Sequence, residues 1–214
     1  MPDLLSYFRL GTIFLIFLSR PILASVDIYL GLQVGSQLMR ESISGETYNH
    51  QSSFFIGHWG YGLGARAKLE MGKIGVGIIG EAGWIGNIFE RRLSGSSSGS
   101  VYRDGFNRTI GGAHVSINTG PSSIFFEYYP WVQNTVNYGE EKSANPFRKN
   151  DTLKATGFGA GFVFGFNNNL ASQLFYRRIQ YRTVTMNKVA VTLPNDQYTS
   201  PTLDEVTMGF VLKF

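Results

Sequence analysis

The stretch TMGFVLKF, residues 207–214, decides the fold of this chain. The apolar side chains at its even positions alternate with Thr207, Gly209, Val211 and Lys213. Alternation with a period of two predicts a β-strand that has one apolar face. A strand that ends on an exposed aromatic side chain is unusual in a soluble protein, and it favours a strand whose outer face is solvated by lipid.

Seven further segments of the chain alternate in the same way. Together they predict eight strands, near residues 26–37, 54–70, 73–86, 106–118, 122–134, 153–166, 170–182 and 203–214. Short connections alternate with long polar ones, which are residues 38–53, 87–105, 135–152 and 183–202. This arrangement predicts an all-β fold, an eight-stranded antiparallel transmembrane β-barrel with short periplasmic turns and four longer extracellular loops.

Alternation alone leaves open which face of the strands is the interior. A soluble barrel of the lipocalin type would turn the apolar side chains inward, around a ligand. The opposite face favours the membrane alternative, because it holds many glycines and mixes charges of both signs, as a narrow lumen requires. We therefore expect the apolar face to contact lipid.

The short turns predict the strand register. A two-residue turn at residues 71–72 would place Trp59 opposite Trp84, in an aromatic girdle at the extracellular edge of the lipid. The second and third turns predict the outward pairs Ile117/Ile124, Phe166/Leu170, Phe162/Leu174 and Ala160/Tyr176.

The composition suits a membrane β-protein. The 214 residues include 26 glycines and 14% aromatic residues, and only 16% are charged. The absence of cysteine excludes disulfides and thiolate metal sites, and we expect no cofactor. The formal net charge of +4 is spread along the chain, so no nucleic-acid partner is expected.

The N-terminal segment has the pattern of a secretory signal peptide. Arg9 precedes an apolar run over residues 10–18, and a small-residue region ends at Ala24. The run is shorter than the roughly 20 apolar residues that a membrane-spanning helix requires. We expect residues 1–24 to be removed and residues 25–214 to form the barrel; an uncleaved anchor is the alternative.

The mature segment resembles the small OmpA/OmpX-type outer-membrane barrels, in its eight strands and in its C-terminal pattern. Thr207, Gly209, Leu212 and Phe214 are similar to the signal by which such barrels are recognised for assembly. The resemblance implies residence in a bacterial outer membrane and the barrel assembly machinery as a partner. We expect the protein to be a monomer.

Ionisable side chains on the inward face form a candidate lumen charge network. An eight-stranded barrel is just wide enough inside for side chains to fill it, and unpaired charges there are costly. The network can therefore be a closed, structural plug or a narrow gated pore in which Arg177 exchanges carboxylate partners. Its predicted members, among which Glu127 faces His114, are Arg66, Glu81, His114, Glu127, Arg177, Asp27 and Lys213.

One motif raises the question of catalysis. His114-Val115-Ser116 resembles the His-x-Ser pair of the lipid A deacylase PagL, and a serine nucleophile needs an adjacent base. The pair lies near a short turn at the periplasmic end and points into the lumen, away from surface lipid A. We therefore expect no catalytic residues; a lipid A-modifying hydrolase is the third alternative, after the pore.

Basic side chains near the extracellular end are candidates for binding the phosphates of lipopolysaccharide, because arginine matches phosphate geometry. The alternative is a solvated loop with no ligand. The sequence thus predicts a non-enzymatic structural or surface-interaction protein that contacts membrane lipid. The candidate lipopolysaccharide contacts are Arg91, Arg92, Arg103 and Arg178.

Overall fold

The computed structural model describes residues 22–53, 57–140, 145–186 and 189–214, and these form one antiparallel sheet of ten strands. Within these ranges, no helix is long and apolar enough to cross a membrane. Residues 1–21 of the predicted signal peptide lie outside the described residues. The strands are β1 (Ile22–Ile43), β2 (Glu46–Gln51), β3 (His58–Met71), β4 (Ile74–Leu93), β5 (Gly99–Thr119), β6 (Ser122–Gly139), β7 (Thr152–Gly165), β8 (Leu170–Met186), β9 (Val189–Thr192) and β10 (Thr202–Lys213).

The ten strands occupy eight positions around a closed barrel. β2 and β3 both pair with β1 and β4, so they form one interrupted position, and β9 and β10 likewise share the position beside β8. The ring closes where β1 pairs with β10, from Asp27↔Lys213 to Leu38↔Thr202. The predicted eight-stranded antiparallel barrel is confirmed.

The first turn corrects the predicted register of β3 and β4. Met71 pairs with Ile74, so the turn residues are Gly72 and Lys73, two positions away from the predicted pairing. Gly72 has a φ of +67° and takes the first central position of the turn, where hairpins of type II′ require glycine. Because the shift is an even number of residues, every side chain keeps its predicted face.

The second and third turns have the predicted register. Ile117 pairs with Ile124 across a turn at residues 120–121, whose Gly120 also has a positive φ. Across the third turn, Phe162 pairs with Leu174, and the Phe166 amide donates to the Leu170 carbonyl at 2.9 Å. These predicted pairs are confirmed.

Among the described residues, the predicted long loops are strand in part, and residues 141–144 and 187–188 of these loops lie outside the described residues. β1 runs to Ile43, β4 to Leu93, β6 to Gly139 and β8 to Met186, so the barrel wall continues well into residues 38–53, 87–105, 135–152 and 183–202. The wall can continue because its alternation reverses outside the lipid. Polar side chains then face water, and many of the inward side chains are apolar, a pattern that a search for an apolar outer face does not detect.

The two levels of the barrel therefore have opposite cores. At the lipid level the outward side chains are exposed and apolar, as at Leu30, Leu63, Ile78, Phe126, Phe162, Leu174 and Phe210. Towards the extracellular end many of the buried side chains are apolar, among them Met39, Phe89, Tyr102, Phe106, Val136, Phe147, Leu153 and Val184. This upper core lies on the extracellular side of the polar lumen and covers it.

Inward glycines make room for the large side chains of the lumen. A Cβ on Gly64 would lie 2.3 Å from the Tyr29 ring, and one on Gly161 would lie 2.2 Å from Phe175 Cβ. Such separations are well inside van der Waals contact, and both aromatic side chains are buried. The glycine-rich inner face predicted from sequence is thus a packing requirement.

We expect Gly64→Ala to destabilise the barrel by about 1–3 kcal/mol, since the added methyl group must displace the buried Tyr29 ring. Urea unfolding followed by tryptophan fluorescence, together with the heat-shifted gel band of the folded barrel, measures this. Gly80→Ala on the outer face of β4 is the matched control, because a Cβ there meets nothing within 4 Å. Equal stability of the two variants would contradict the packing argument.

Candidate functional site: the lumen charge network

Six strands contribute one charged side chain each to the middle of the lumen. All six are at most 5% exposed, and three positive charges balance three negative ones. Buried ions are tolerated only when they are paired and hydrogen-bonded, so this balance is what makes the interior possible. The six are Arg66 on β3, Glu81 on β4, Arg108 on β5, Glu127 on β6, Arg177 on β8 and Glu205 on β10.

Glu81 is held by both of its oxygens. Arg177 donates to them in a bidentate pair, at 3.0 Å to Oε1 and 2.7 Å to Oε2. The Tyr29 hydroxyl donates to Oε2 at 2.7 Å, and the Gln33 amide donates to Oε1 at 2.9 Å. The carboxylate is therefore fully coordinated by side chains from two other strands, β1 and β8.

Glu205 links two arginines. Arg177 donates to its Oε1 at 3.2 Å, and Arg108 donates to its Oε2 at 2.7 Å. His58 Nε2 lies 3.2 Å from the same Oε2. Because Arg177 contacts both Glu81 and Glu205, the two carboxylates share one cation.

Glu127 forms the second centre of the network, nearer the periplasmic end. Arg66 Nε donates to its Oε1 at 2.6 Å, and His114 Nδ1 lies 3.0 Å from the same oxygen. The Tyr129 hydroxyl donates to Oε2. The predicted pairing of Glu127 with His114 is present in the register and in this contact.

Aromatic rings cover the arginines. The Arg66 guanidinium lies 4.3 Å from the Tyr29 ring centroid and 4.5 Å from that of Phe125. Arg177 lies 5.0 Å from the rings of Tyr129 and Phe175. Stacking of this kind stabilises a desolvated cation and fills the space between ion pairs.

Two predicted members of the network lie closer to the periplasmic end. Asp27 and Lys213 are register partners, yet Asp27 Oδ2 forms its ion pair with Lys68 Nζ at 2.8 Å. Lys213 Nζ donates instead to the Pro121 carbonyl at 2.7 Å. Lys68 thus occupies the place that the sequence assigned to Lys213, because it points inward from the neighbouring strand.

Sequence reasoning missed Arg108 and Glu205. Arg108 lies within the predicted strand near residues 106–118, shares the even parity of His114 along β5 and is 1% exposed. Glu205 shares the inward parity of Thr207. The alternation of inward and outward side chains within the two predicted strands was the signal that would have found both residues.

A second buried cluster lies at the extracellular mouth. Glu41 accepts hydrogen bonds from the Tyr198 hydroxyl at 2.9 Å and Arg91 Nε at 3.1 Å, and its Oε2 lies 3.0 Å from His50 Nε2. Burial raises the pKa of Glu41, but the bonds from His50 and Tyr198 outweigh it and lower this pKa to about 2. His50 also contacts the Tyr102 hydroxyl at 2.8 Å. The cluster ties β1, β2 and β4 to the segment before β10.

Asp104 anchors the segment after β6. The Asn145 amide donates to Asp104 Oδ1 at 2.6 Å, and Phe147 packs edge-on against Phe106 with centroids 6.2 Å apart. Asp104 lies three residues beyond the register partner of Trp84, outside the lipid. Burial raises the pKa of the Asp104 carboxyl to about 7.

The four candidate lipopolysaccharide contacts differ in their surroundings. Arg91 is committed to Glu41 and lies 3.8 Å over the Tyr48 ring, and Arg92 pairs with Glu90 at 2.6 Å. Arg103 is exposed on β5. Half of the Arg178 side chain is exposed on β8, and its Nε lies 3.6 Å from Asp204 Oδ1.

The two girdle tryptophans are in contact, with ring centroids 4.9 Å apart. Their predicted register is corrected, because Trp59 pairs with Gly86 and Tyr61 pairs with Trp84. The missing side chain at Gly86 lets the Trp84 ring lie against Trp59. Outward aromatic side chains continue the girdle at Tyr128, Trp131, Phe158 and Tyr176.

The His-x-Ser motif does not form a nucleophile–base pair. Ser116 Oγ has no hydrogen-bond partner among the described residues, and His114 is turned to Glu127. Both side chains are buried. The described part of the chain also contains no cluster of His, Cys, Asp or Glu side chains suited to a metal ion.

No protein-family model matches the sequence, and no curated protein matches it. Among solved structures, the outer-membrane protein OprG from Pseudomonas aeruginosa matches with a TM-score of 0.56 and 9% identity, over 91% of this chain and 98% of OprG. The outer-membrane protease OmpT from Escherichia coli matches with a TM-score of 0.45 and 10% identity, over 92% and 98%. Ail, the attachment invasion locus protein of Yersinia pestis, solved with the heparin analogue sucrose octasulfate, matches with a TM-score of 0.40 and 12% identity, over 87% and 99%.

The similarity to OprG shows that this chain has the fold of a bacterial outer-membrane β-barrel. The outward apolar belt is that of a protein that resides in such a membrane.

We expect Glu127→Gln to cost about 3–5 kcal/mol of unfolding free energy, because the buried charge of Arg66 would lose its carboxylate. Urea unfolding of the refolded protein measures this. Glu90→Gln is the control, since the Glu90–Arg92 pair is partly exposed and should contribute little. A Glu127→Gln variant as stable as the control would show that the ion pair is not required.

We expect the contribution of Asp104 to the free energy of unfolding to fall as the pH rises from about 4 to 7. The pKa of Asp104 is about 7 in the folded protein and 3.8 ordinarily. Between these two pH values the unfolded chain releases the proton that the folded protein retains, so rising pH favours unfolding. Asp104→Asn should therefore match the unchanged protein near pH 4 and exceed its stability at pH 8. Urea midpoints of both proteins across this range measure the difference, and a difference that does not change with pH would exclude the effect.

Proposed function

We propose that this protein is an integral outer-membrane barrel with a closed lumen, and that it acts without catalysis as a structural or surface-interaction protein through its extracellular end. The observation that carries the proposal is the double closure of the interior. A charge-balanced layer of arginine and glutamate fills the lumen, and an apolar core covers that layer at the mouth.

Each layer opposes ion passage for a separate reason. In the lower layer, the carboxylates of Glu81, Glu127 and Glu205 are already bound to arginine, so a passing ion must break a buried pair. In the upper layer, packed rings such as Phe106 and Phe147 obstruct the interior, and the buried carboxylate of the cluster at the mouth is already hydrogen-bonded. Conduction would require both layers to rearrange together.

The extracellular wall supplies the surface for interaction. Above the girdle, the outer sides of β1, β2 and β4 form a cleft of about 710 Å³ whose lining includes Arg40, Asn49, Gln51 and Arg92. Polar side chains that can donate and accept suit a hydrated partner such as a polysaccharide or a protein. The rigid strands beneath them hold the cleft in shape.

The export and assembly of the protein are part of the same proposal. Residues 1–24 serve as a removed signal peptide, so that β1 of the mature chain lacks its first three residues, and the barrel is a monomer that closes on itself. The outward side chains of Phe210, Leu212 and Phe214, with Thr207 and Gly209 inward, are offered to the barrel assembly machinery before β10 joins β1.

A narrow gated pore is the second candidate function. It is favoured by the position of Arg177, which contacts Glu81 and Glu205 at once. Because Glu205 is also paired with Arg108, Arg177 can move towards Glu81 without leaving Glu205 unpaired. The two candidates differ in a direct measurement.

We expect the refolded protein to be silent in a planar lipid bilayer. A heat-shifted gel band first confirms that the sample is folded, and Arg177→Gln is recorded beside it. Steady openings of the unchanged protein that alter in conductance or selectivity in Arg177→Gln would overturn the closed-barrel proposal and establish the pore. Steady silence of both folded samples supports the closed barrel.

A further inference from the structure

We propose that the outer wall of β7 and β8 carries a binding site for the phosphorylated headgroup of an outer-leaflet lipid, with Arg178 and Arg182 as the phosphate ligands and Lys154 at the upper rim. The inference rests on the proposed placement of the barrel in an outer membrane with its long connections outward. It adds a specific lipid site to that function.

The order of side chains up this wall matches the layers of a lipid leaflet. Phe162 and Leu174 face outward at the acyl-chain level and are register partners. Above them, Tyr176 and Phe158 are exposed aromatics of the girdle. Aromatic side chains of this kind mark the headgroup boundary, so the next outward side chains along the two strands lie at headgroup depth.

Three of the outward side chains at headgroup depth are basic. Arg178 pairs in register with Phe158, directly at the girdle. Arg182 lies four residues further along β8, and Lys154 pairs with its neighbour Thr183 across β7. A register irregularity at Lys154/Ala155 keeps Arg182 and Lys154 both exposed on the outside.

A groove joins the two arginines. Its volume is about 400 Å³, and its lining includes Tyr128, Thr156, Phe158, Arg178, Gln180 and Arg182. Threonine hydroxyl and glutamine amide groups add donors beside the guanidinium groups, and the aromatic rings form the floor towards the lipid. This is the arrangement that a phosphate with attached acyl chains requires.

The two arginines of this groove are more weakly paired with carboxylates of the protein than Arg91 is. Arg182 has no side-chain ion pair among the described residues, and the nearest carboxylate oxygen to Arg178 is at 3.6 Å, beyond hydrogen-bond length. Arg91, by contrast, is bound at 3.0 Å to a buried carboxylate. Arg178 thus holds only a long ion pair with Asp204, and exposed guanidinium groups of this kind can bind phosphate in a bidentate manner without first breaking a hydrogen bond.

The test uses the refolded full chain in detergent micelles and a thermodynamic cycle. The probes are lipid A with both phosphates, the same lipid A after phosphatase treatment, and inorganic phosphate, each titrated by thermophoresis. We expect Arg178→Gln/Arg182→Gln to weaken binding of intact lipid A by about tenfold or more. Lys73→Gln/Lys149→Gln, which removes two exposed positive charges away from this groove, is the control and should change it by less than about twofold.

The thermodynamic cycle tests whether Arg178 and Arg182 interact directly with the phosphates of lipid A. Dephosphorylated lipid A should bind the unchanged protein and the double variant equally weakly, because the interaction is already lost. Equal affinity of the unchanged protein and the double variant for intact lipid A would overturn the site. Displacement of lipid A by inorganic phosphate at comparable concentration would show a site for free phosphate and overturn the lipid assignment.

The failure of this inference is distinguishable from that of the proposed function. The double variant should keep its heat-shifted band and its electrical silence, because its two substitutions lie on the outer wall. A conducting unchanged protein that still binds lipid A through Arg178 and Arg182 would overturn the closed barrel and leave the site. A silent protein that binds lipid A equally well with and without Arg178 and Arg182 would overturn the site and leave the closed barrel.

Discussion

Hydrogen bonding of the backbone in lipid is the constraint on which this structure depends. A sheet surrounded by acyl chains cannot leave an edge of amide and carbonyl groups unpaired, so β1 must meet β10. The reciprocal bonds between the backbones of Val26 and Phe214, at 3.1 and 2.8 Å, extend that seam to the last residue. With eight positions, closure leaves an interior that side chains fill, and all further features of the lumen result from its small size.

The narrow lumen dictates both its charges and its glycines. Arginine and glutamate reach the axis from opposite walls only if the strand between them offers no side chain of its own. Gly62 is such a position, because a Cβ there would lie 2.8 Å from Glu81 Oε1. The polar interior is thus packed as tightly as an apolar one, and its order comes from pairing of charge as well as from shape. A lumen of this kind favours closure and moves the search for activity to the outer surface.

Much of this architecture could be predicted from the sequence, because lipid-facing strands keep strict alternation. Strand number, faces, two of the three turns and the Glu127–His114 pairing are all consequences of it. The first turn was misplaced because a glycine can occupy either central position of a hairpin, and only the backbone shows that Gly72 takes the first. The upper barrel was taken for loops because its outward side chains are largely polar, and Glu41 and His50 were therefore not assigned to the interior. Arg108 was missed although it lies within a predicted strand and has the parity of the inward His114.

The balance of three arginines and three glutamates has a consequence for the descent of this protein. A lineage that loses one member of a buried pair keeps an uncompensated charge, so the survivor must change soon afterwards. Arg66 and Glu127 should therefore be inherited or replaced together in related chains. Arg177 forms ion pairs with two carboxylates, so it should be the slowest of the six residues to vary. Closure of the lumen would then be recorded in linked substitutions, even where overall identity has fallen too low to reveal kinship.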